Sequence, residues 1–113
     1  IEAVVHMGAI SSTTEADADL ILRTNFSLSR DIWDWCALRD ARLIYASSAA
    51  TYGDGEAGFE DDDSLEALSA LRPLNAYGYS KLLFDQYAPF AVRKPKNRKK
   101  NALAKLFHVL VHV

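Results

Sequence analysis

The side chains best suited to catalysis in this sequence are Tyr77 and Lys81, which stand four residues apart. Residues i and i+4 share one face of a helix, so both groups can point into one crevice. An ammonium group beside a phenol favours the phenolate form. A phenolate near neutral pH can take a proton from a hydroxyl group while hydride leaves the carbon. The pair therefore predicts acid/base chemistry at Tyr77.

Ser48 is the third candidate, because it follows a predicted strand and its hydroxyl could orient the same reacting oxygen. The Tyr-x-x-x-Lys spacing is weak evidence alone, since a surface helix produces it often by chance. Tyr79 offers a second phenol, but its i to i+2 spacing from Lys81 points it away. We expect Tyr79 to serve in packing or as a substrate wall.

Alternating strands and helices must position these groups. Apolar periodicity predicts a strand over residues 2–6 that turns at Gly8, then a helix from Glu15 to about Arg39. The spacing of Ser12 and Glu15 predicts a capping box at the start of that helix. The further predicted elements are a strand over Ala41–Ala46, a helix over Ala76–Tyr87 that ends before Pro89, and an apolar run at Leu106–Val113 that could form a last strand.

This order of elements is typical of parallel βαβ units and therefore of an α/β fold. In such folds ligands bind beyond the carboxyl ends of the strands. The small polar stretches Gly8–Ser11 and Ser47–Ser48 both follow predicted strands. We therefore expect them to meet at one edge of the sheet.

The composition argues against several classes of protein. No apolar run reaches the roughly 18 residues of a membrane span, and the single cysteine, Cys36, excludes an internal disulfide framework. A cytoplasmic setting is expected, with no membrane partner. Residues 1–92 carry six Lys/Arg and all fifteen Asp/Glu, whereas residues 93–113 carry seven Lys/Arg and no acid. A nucleic-acid role for this basic tail is disfavoured, because no aromatic residues are interleaved with the charges.

No metal site is predicted. The His108 and His112 pair lies in an apolar run, where packing is the more common role. The acidic run Asp61–Asp63 lacks the alternating ligands and the glycine of a calcium loop. Both features are therefore interpreted as structural.

A longer series of motifs carries a resemblance to a known family. They occur in this order: His6-Met-Gly-Ala9, Asn25, Tyr45-Ala-Ser-Ser-Ala-Ala-Thr-Tyr-Gly53 and Pro73-Leu-Asn-Ala-Tyr-Gly-Tyr-Ser-Lys81. This order resembles the extended short-chain dehydrogenase/reductases. Within that group the sequence most resembles the ADP-glycero-manno-heptose 6-epimerases. The stretches that carry this likeness are Ser11-Ser-Thr-Thr-Glu15 and the residues following Lys81, Leu-Leu-Phe-Asp85. The likeness covers about residues 2–87 and fades after Tyr87.

The resemblance implies a role for each matching residue. Tyr77 would be the catalytic acid/base, Lys81 its partner and a ligand of the nicotinamide ribose, and Ser48 a hydrogen-bond donor to the reacting oxygen. The cofactor, NADP with NAD as the alternative, would lie along Met7, Gly8, Ala9, Ile10 and Ser11, with Thr24 or Asn25 closing over it. Ser11, Ser12 and Thr13 would also face the sugar of a nucleotide-sugar substrate. Enzymes of this family are expected to be homo-oligomers.

The resemblance also sets the expected organisation. Residues 1–87 would be the central part of a dinucleotide-binding domain, and residues 88–113 a divergent basic tail with one further strand or partial disorder. The expected fold is a partial Rossmann-like, doubly wound parallel sheet that lacks the N-terminal Gly-rich strand–turn–helix. Two alternatives stay open: an inactive truncated remnant of such an enzyme, or another NAD(P)-dependent sugar-nucleotide epimerase or dehydratase.

Overall fold

A three-stranded parallel sheet forms the centre of the molecule. The computed structural model describes residues 1–60, 62, 64–92 and 107–111. The strands are β1 (Ala3–His6), β2 (Arg42–Ser48) and β3 (Phe107–Val111), in the order β1-β2-β3. His6 pairs with Tyr45 and Tyr45 with His108, all in parallel register. The α/β parallel fold expected from the sequence is therefore confirmed, and the last predicted strand is present.

Parts of three interpretations lie outside the described residues. The basic tail falls mostly within residues 93–106, and the second histidine of the His108–His112 pair is also beyond them. Asp61 and Asp63 of the acidic run are likewise outside. These interpretations stay predictions.

The predicted helix over residues 15–39 is one continuous helical run with a wide turn inside it. It comprises α1 (Ala18–Ile21), a π-helical segment (Leu22–Ser27) and α2 (Leu28–Leu38). Its buried residues Ile21, Asn25, Ser29 and Trp33 recur every fourth position. In an α-helix four residues turn about 400°, so such a row drifts by about 40° at each step. A wider π turn takes up part of this drift and keeps the row on the buried side of the helix.

The cap of this helix differs from the prediction. Asp17, not Ser12, is the capping residue, since its carboxylate accepts from Leu20 N at 2.9 Å. Glu15 accepts from Asp17 N at 3.0 Å and so supports the turn before the helix. The predicted Ser12–Glu15 capping box was wrong because Asp17 stands nearer the buried residue Ile21 and satisfies the first-turn amides itself.

One helix was missed between the predicted strand Ala41–Ala46 and the predicted helix that begins at Ala76. A 3₁₀ turn (Ala49–Tyr52) follows β2, and α3 (Leu65–Ala70) lies further along the chain. Ser64 caps α3 by accepting from Ala67 N at 3.2 Å. A serine before Leu-Glu-Ala-Leu is a recognisable helix start, and this was the available signal.

The last helix, α4 (Ala76–Val92), completes the core. It continues through Pro89, where the predicted end was wrong; the proline removes one backbone donor without ending the helix. Trp33 and Cys36 of α2 pack with Phe84 of α4 against Leu43 and Tyr45 of β2. Leu43 and Tyr45 are two apart on the strand, so both helices cover the same face of the sheet. No helix among the described residues is long and apolar enough to cross a membrane.

Gly53 ends the 3₁₀ turn in a conformation that only glycine adopts easily, with φ of 62°. A Cβ atom there would overlap the Arg72 carbonyl oxygen. We expect Gly53→Ala to lower the free energy of unfolding by about 2–3 kcal/mol through backbone strain and this overlap. Urea denaturation followed by tryptophan fluorescence measures the change.

Gly58→Ala is the matched control, because Gly58 also has a positive φ, 87°, but no atom lies within 4 Å of its added Cβ. It should cost only the backbone penalty, about 1–2 kcal/mol. An equal loss in both variants would show that the close approach to Arg72 does not matter for stability.

Candidate functional site

The carboxyl ends of β1 and β2 place the predicted site residues along one edge of the sheet. The loop after β1 begins at Met7, whose side chain is 61% exposed, and continues through half-buried Ala9 and Ile10. Ser47 and Ser48 end β2 next to it. The exposed residues Ser11, Ser12 and Thr13 continue the loop outward. The convergence that the sequence predicted is therefore present.

Asn25 is fully buried and holds this loop to α4. Its amide oxygen accepts from Ile10 N at 2.8 Å, and its amide nitrogen donates to Ile10 O at 2.9 Å and to Ser80 Oγ at 3.0 Å. Both amide donors and an acceptor are thus engaged within the protein. Ser80 in turn donates to Tyr77 O at 2.6 Å, so this chain of hydrogen bonds extends from the loop to the backbone of Tyr77. Thr24, beside Asn25, is half-buried.

Ser48 and Tyr77 are both buried, at 2% and 6% exposure. The Ser48 hydroxyl oxygen accepts from Ala50 N at 3.2 Å, which leaves its proton available for donation. Gly78 lets α4 come close to the turn that follows Ser48: a Cβ atom at this position would lie 2.6 Å from Ala50 O. The absence of a side chain at residue 78 therefore sets how near Tyr77 can lie to the end of β2.

Lys81 points back at β2. Its ammonium group donates to Ala46 O at 2.9 Å and lies 4.6 Å from the centre of the Tyr45 ring. Burial lowers the pKa of Lys81 to about 8, and the Asp85 carboxylate partly opposes this shift. An ammonium group has three donors, so two remain for further partners. Within the part of the chain that the structure describes, no hydrogen bond joins Tyr77 to Lys81 or Ser48.

The sequence reasoning missed a buried polar network beneath these residues. His6 shares a 2.9 Å hydrogen bond with Ser29, and Ser29 donates to the Asn25 carbonyl. Burial, and secondly the Lys81 charge, lower the pKa of His6. On the other side Ser47 donates to Asp85 at 2.6 Å. An acidic residue within the apolar run that follows Lys81 was a signal that Asp85 is buried, but it does not indicate the partner.

A small cavity of about 100 Å³ adjoins Ser48 on the side of α3. Among the described residues, its lining includes Ser47, Ser48 and Asp85 but neither Tyr77 nor Lys81. It therefore lies beside the edge that carries the phenol and the ammonium group. No group of three or more His, Cys, Asp or Glu within the described ranges is arranged to hold a metal ion.

Comparison with known proteins gives consistent matches. The model of the NAD dependent epimerase/dehydratase family matches residues 1–99. A curated relative from Fusobacterium nucleatum, named ADP-L-glycero-D-manno-heptose-6-epimerase, is 54% identical over 96 residues. The alignment covers 85% of this chain but only 29% of the relative. The chain therefore spans less than a third of that protein.

Solved structures show the same arrangement. The Helicobacter pylori ADP-L-glycero-D-manno-heptose-6-epimerase matches with a TM-score of 0.69 at 25% identity, covering 92% of this chain and 36% of the other. MoeE5 in complex with UDP-glucuronic acid and NAD matches with a TM-score of 0.68 at 26% identity, covering 86% and 31%. Nucleotide-sugar proteins thus share this sheet and its helices.

Proposed function

Because the chain belongs to the NAD dependent epimerase/dehydratase family, we propose that it is the central part of the cofactor domain of an ADP-L-glycero-D-manno-heptose-6-epimerase. Such an enzyme inverts one sugar carbon by transient oxidation, with no net redox change. The observation that carries the proposal is the approach of α4, which bears Tyr77 and Lys81, to the end of β2 at Ser48: Lys81 donates to Ala46 O of that strand at 2.9 Å. The identity with the heptose epimerase relative supports the choice of sugar nucleotide.

Tyr77 is the proposed acid/base. Its phenol holds the proton of the reacting sugar hydroxyl during oxidation and returns it during reduction. Ser48 donates a hydrogen bond to the same sugar oxygen, using the proton that its contact with Ala50 leaves available. Both side chains are buried, and hydrogen bonds are stronger in the low dielectric of a protein interior than in water.

The residues at this edge fit a nicotinamide dinucleotide. Lys81 has the hydrogen-bond donors that such a cofactor requires. It keeps two N–H groups beyond its bond to Ala46 O and can donate them to ribose hydroxyls. The loop from Met7 to Ser11 would line the cofactor, with Asn25 fixing it at Ile10. When bound, the nicotinamide ring supplies the hydride acceptor and donor. Lys81, four residues after Tyr77 on α4, would supply a positive charge on the same face of the helix.

The finer assignments extend this proposal. We infer NADP as the cofactor, with NAD as the alternative. The nucleotide sugar is the proposed partner, neither nucleic acid nor a membrane is assigned, and the whole enzyme would be a homo-oligomer. A cytoplasmic location is in keeping with Cys36, a buried free thiol.

A graft tests the function directly. Residues of this chain replace the 96-residue stretch that they match in the Fusobacterium nucleatum relative. We expect the chimera to interconvert the two ADP-heptose epimers at a rate within about tenfold of the parent, because the site residues are supplied by this chain. Epimer ratios are followed by NMR, and NADP(H) binding by fluorescence titration.

The same assay separates the alternatives. A folded chimera that retains NADP(H) but does not epimerise would contradict the proposed reaction and favour an inactive remnant. A chimera that acts on another nucleotide sugar instead would move the assignment to a different epimerase or dehydratase. Titration of the 113-residue chain alone shows how much cofactor affinity this segment carries.

A further inference from the structure

Asp85 is a fully buried carboxylate that the proposed reaction leaves without a role. It is 1% exposed and stands four residues after Lys81 on α4, so the two side chains share one face of the helix. Its Oδ2 atom accepts from Ser47 Oγ at 2.6 Å, across the interface between α4 and β2. Burying a carboxylate is costly unless nearby groups stabilise it. Its position therefore calls for a reason beyond packing.

The surroundings of Lys81 indicate that reason. Tyr45 from β2 faces the ammonium group with its ring, and burial keeps that phenol neutral by raising its pKa. His6 from β1 adds no negative charge, and Tyr77 shares the helix. Asp85 is the acidic group among the described residues whose charge acts on Lys81. A buried lysine without a carboxylate nearby tends to lose its proton.

We propose that Asp85 is a positioning residue of this site, whose carboxylate serves as the counter-charge of Lys81 and ties α4 to the end of β2 through Ser47. The inference rests on the proposed function, because it assigns Asp85 to the site formed by Ser48, Tyr77 and Lys81. Asp85 contacts neither substrate nor cofactor in this assignment and acts through its neighbours.

The tie to β2 gives the residue a second effect. Ser47 precedes Ser48 directly, so a bond that fixes Ser47 against α4 also fixes the strand end that carries the Ser48 hydroxyl. Gly78 allows close approach on the far side of that turn. Helix α4 therefore lies close to this part of the chain on both sides of Ser48, through a hydrogen bond at Ser47 and a close approach at Ala50.

Asp85→Asn tests the charge while keeping the shape of the side chain and its ability to accept from Ser47. We expect the titration midpoint of Lys81, followed by ¹³Cε NMR in the 113-residue chain, to fall by about one pH unit, a tenfold change in proton affinity. The control is Asp34→Asn, since Asp34 accepts from Tyr87 at 3.0 Å on the exposed side of α2. It should leave the Lys81 midpoint unchanged. An unchanged midpoint in Asp85→Asn would overturn the inference.

A measurement on the unsubstituted chain covers the case in which Asp85→Asn does not fold. The Ser47 hydroxyl proton, buried against the carboxylate, should exchange slowly enough with water to give an NMR signal. The exposed Ser69 hydroxyl, which donates to Leu65 O, is the internal comparison. Exchange at Ser47 as fast as at Ser69 would rule out the tie between α4 and β2.

These outcomes are independent of the epimerase assay. An inactive chimera combined with the expected fall of the Lys81 midpoint would remove the proposed reaction but keep the role of Asp85 as the counter-charge of Lys81. An active chimera with an unmoved midpoint would remove the role of Asp85 alone.

Discussion

Tyr77→Phe in the grafted epimerase should reduce turnover by about 10²–10⁴-fold, the usual contribution of a positioned acid/base group. Only one oxygen atom is lost, and phenylalanine fills the same buried space, so the helix and the cofactor contacts should persist. Epimer interconversion is measured by NMR, and NADP(H) affinity by fluorescence titration. Turnover should fall while the dissociation constant of the cofactor stays within about threefold, less than 1 kcal/mol.

Tyr79→Phe is the matched control for this variant. Tyr79 is the same residue type two positions away, but its side chain is 43% exposed. Removing its hydroxyl should leave turnover near that of the parent. Near-normal epimerisation by Tyr77→Phe, or an equal loss in Tyr79→Phe, would show that the acid/base assignment is wrong.

Phe84→Ala should produce the largest loss of stability, about 3–5 kcal/mol in the free energy of unfolding. Phe84 is fully buried at the centre of the core, 4.4 Å from the Tyr45 ring and 6.4 Å from the Trp33 ring, measured between ring centres. Its truncation leaves a cavity between both helices and β2. Small domains have only about 5–15 kcal/mol of stability in total. Urea denaturation monitored by tryptophan fluorescence gives the value.

Leu83→Ala provides the comparison on the same helix. Leu83 is adjacent in sequence but 38% exposed, so its truncation should cost less than about 1 kcal/mol. Similar losses for the two variants would mean that α4 does not pack through the face that carries Phe84.

Strands and long helices could be predicted because their signals are local. The apolar runs of β1 and β2 and the helical spacing in residues 15–39 are contained in short windows of sequence. The N-cap of the first helix was harder to predict. Ser12 and Asp17 are both residue types that cap helices, and the choice between them depends on where the helix packs. The end of α4 was misplaced because a proline removes one backbone donor without always ending a helix, and α4 continues to Val92.

The sequence names candidate members of the site, but it could not predict their contacts. Tyr77, Lys81 and Ser48 follow from spacing and resemblance, and the structure places them at one edge of the sheet. The cofactor role of Asn25 stays a prediction, while its hydrogen bonds to Ile10 and Ser80 join residues 15 and 55 positions away. No local pattern contains such pairings. The same limit hid Asp85, whose hydrogen bond to Ser47 spans 38 positions.

The π-helical segment Leu22–Ser27 has a consequence for how this protein family can change in evolution. A π-helical turn contains more residues than an α-helical turn. The gain or loss of one residue in this segment can therefore change the local turn without shifting the rest of the helix. Trp33 and Cys36 on one side and the Asp17 cap on the other would keep their places in the structure. Single-residue insertions and deletions among relatives should therefore collect in this segment, leaving the buried residues of α2 in register.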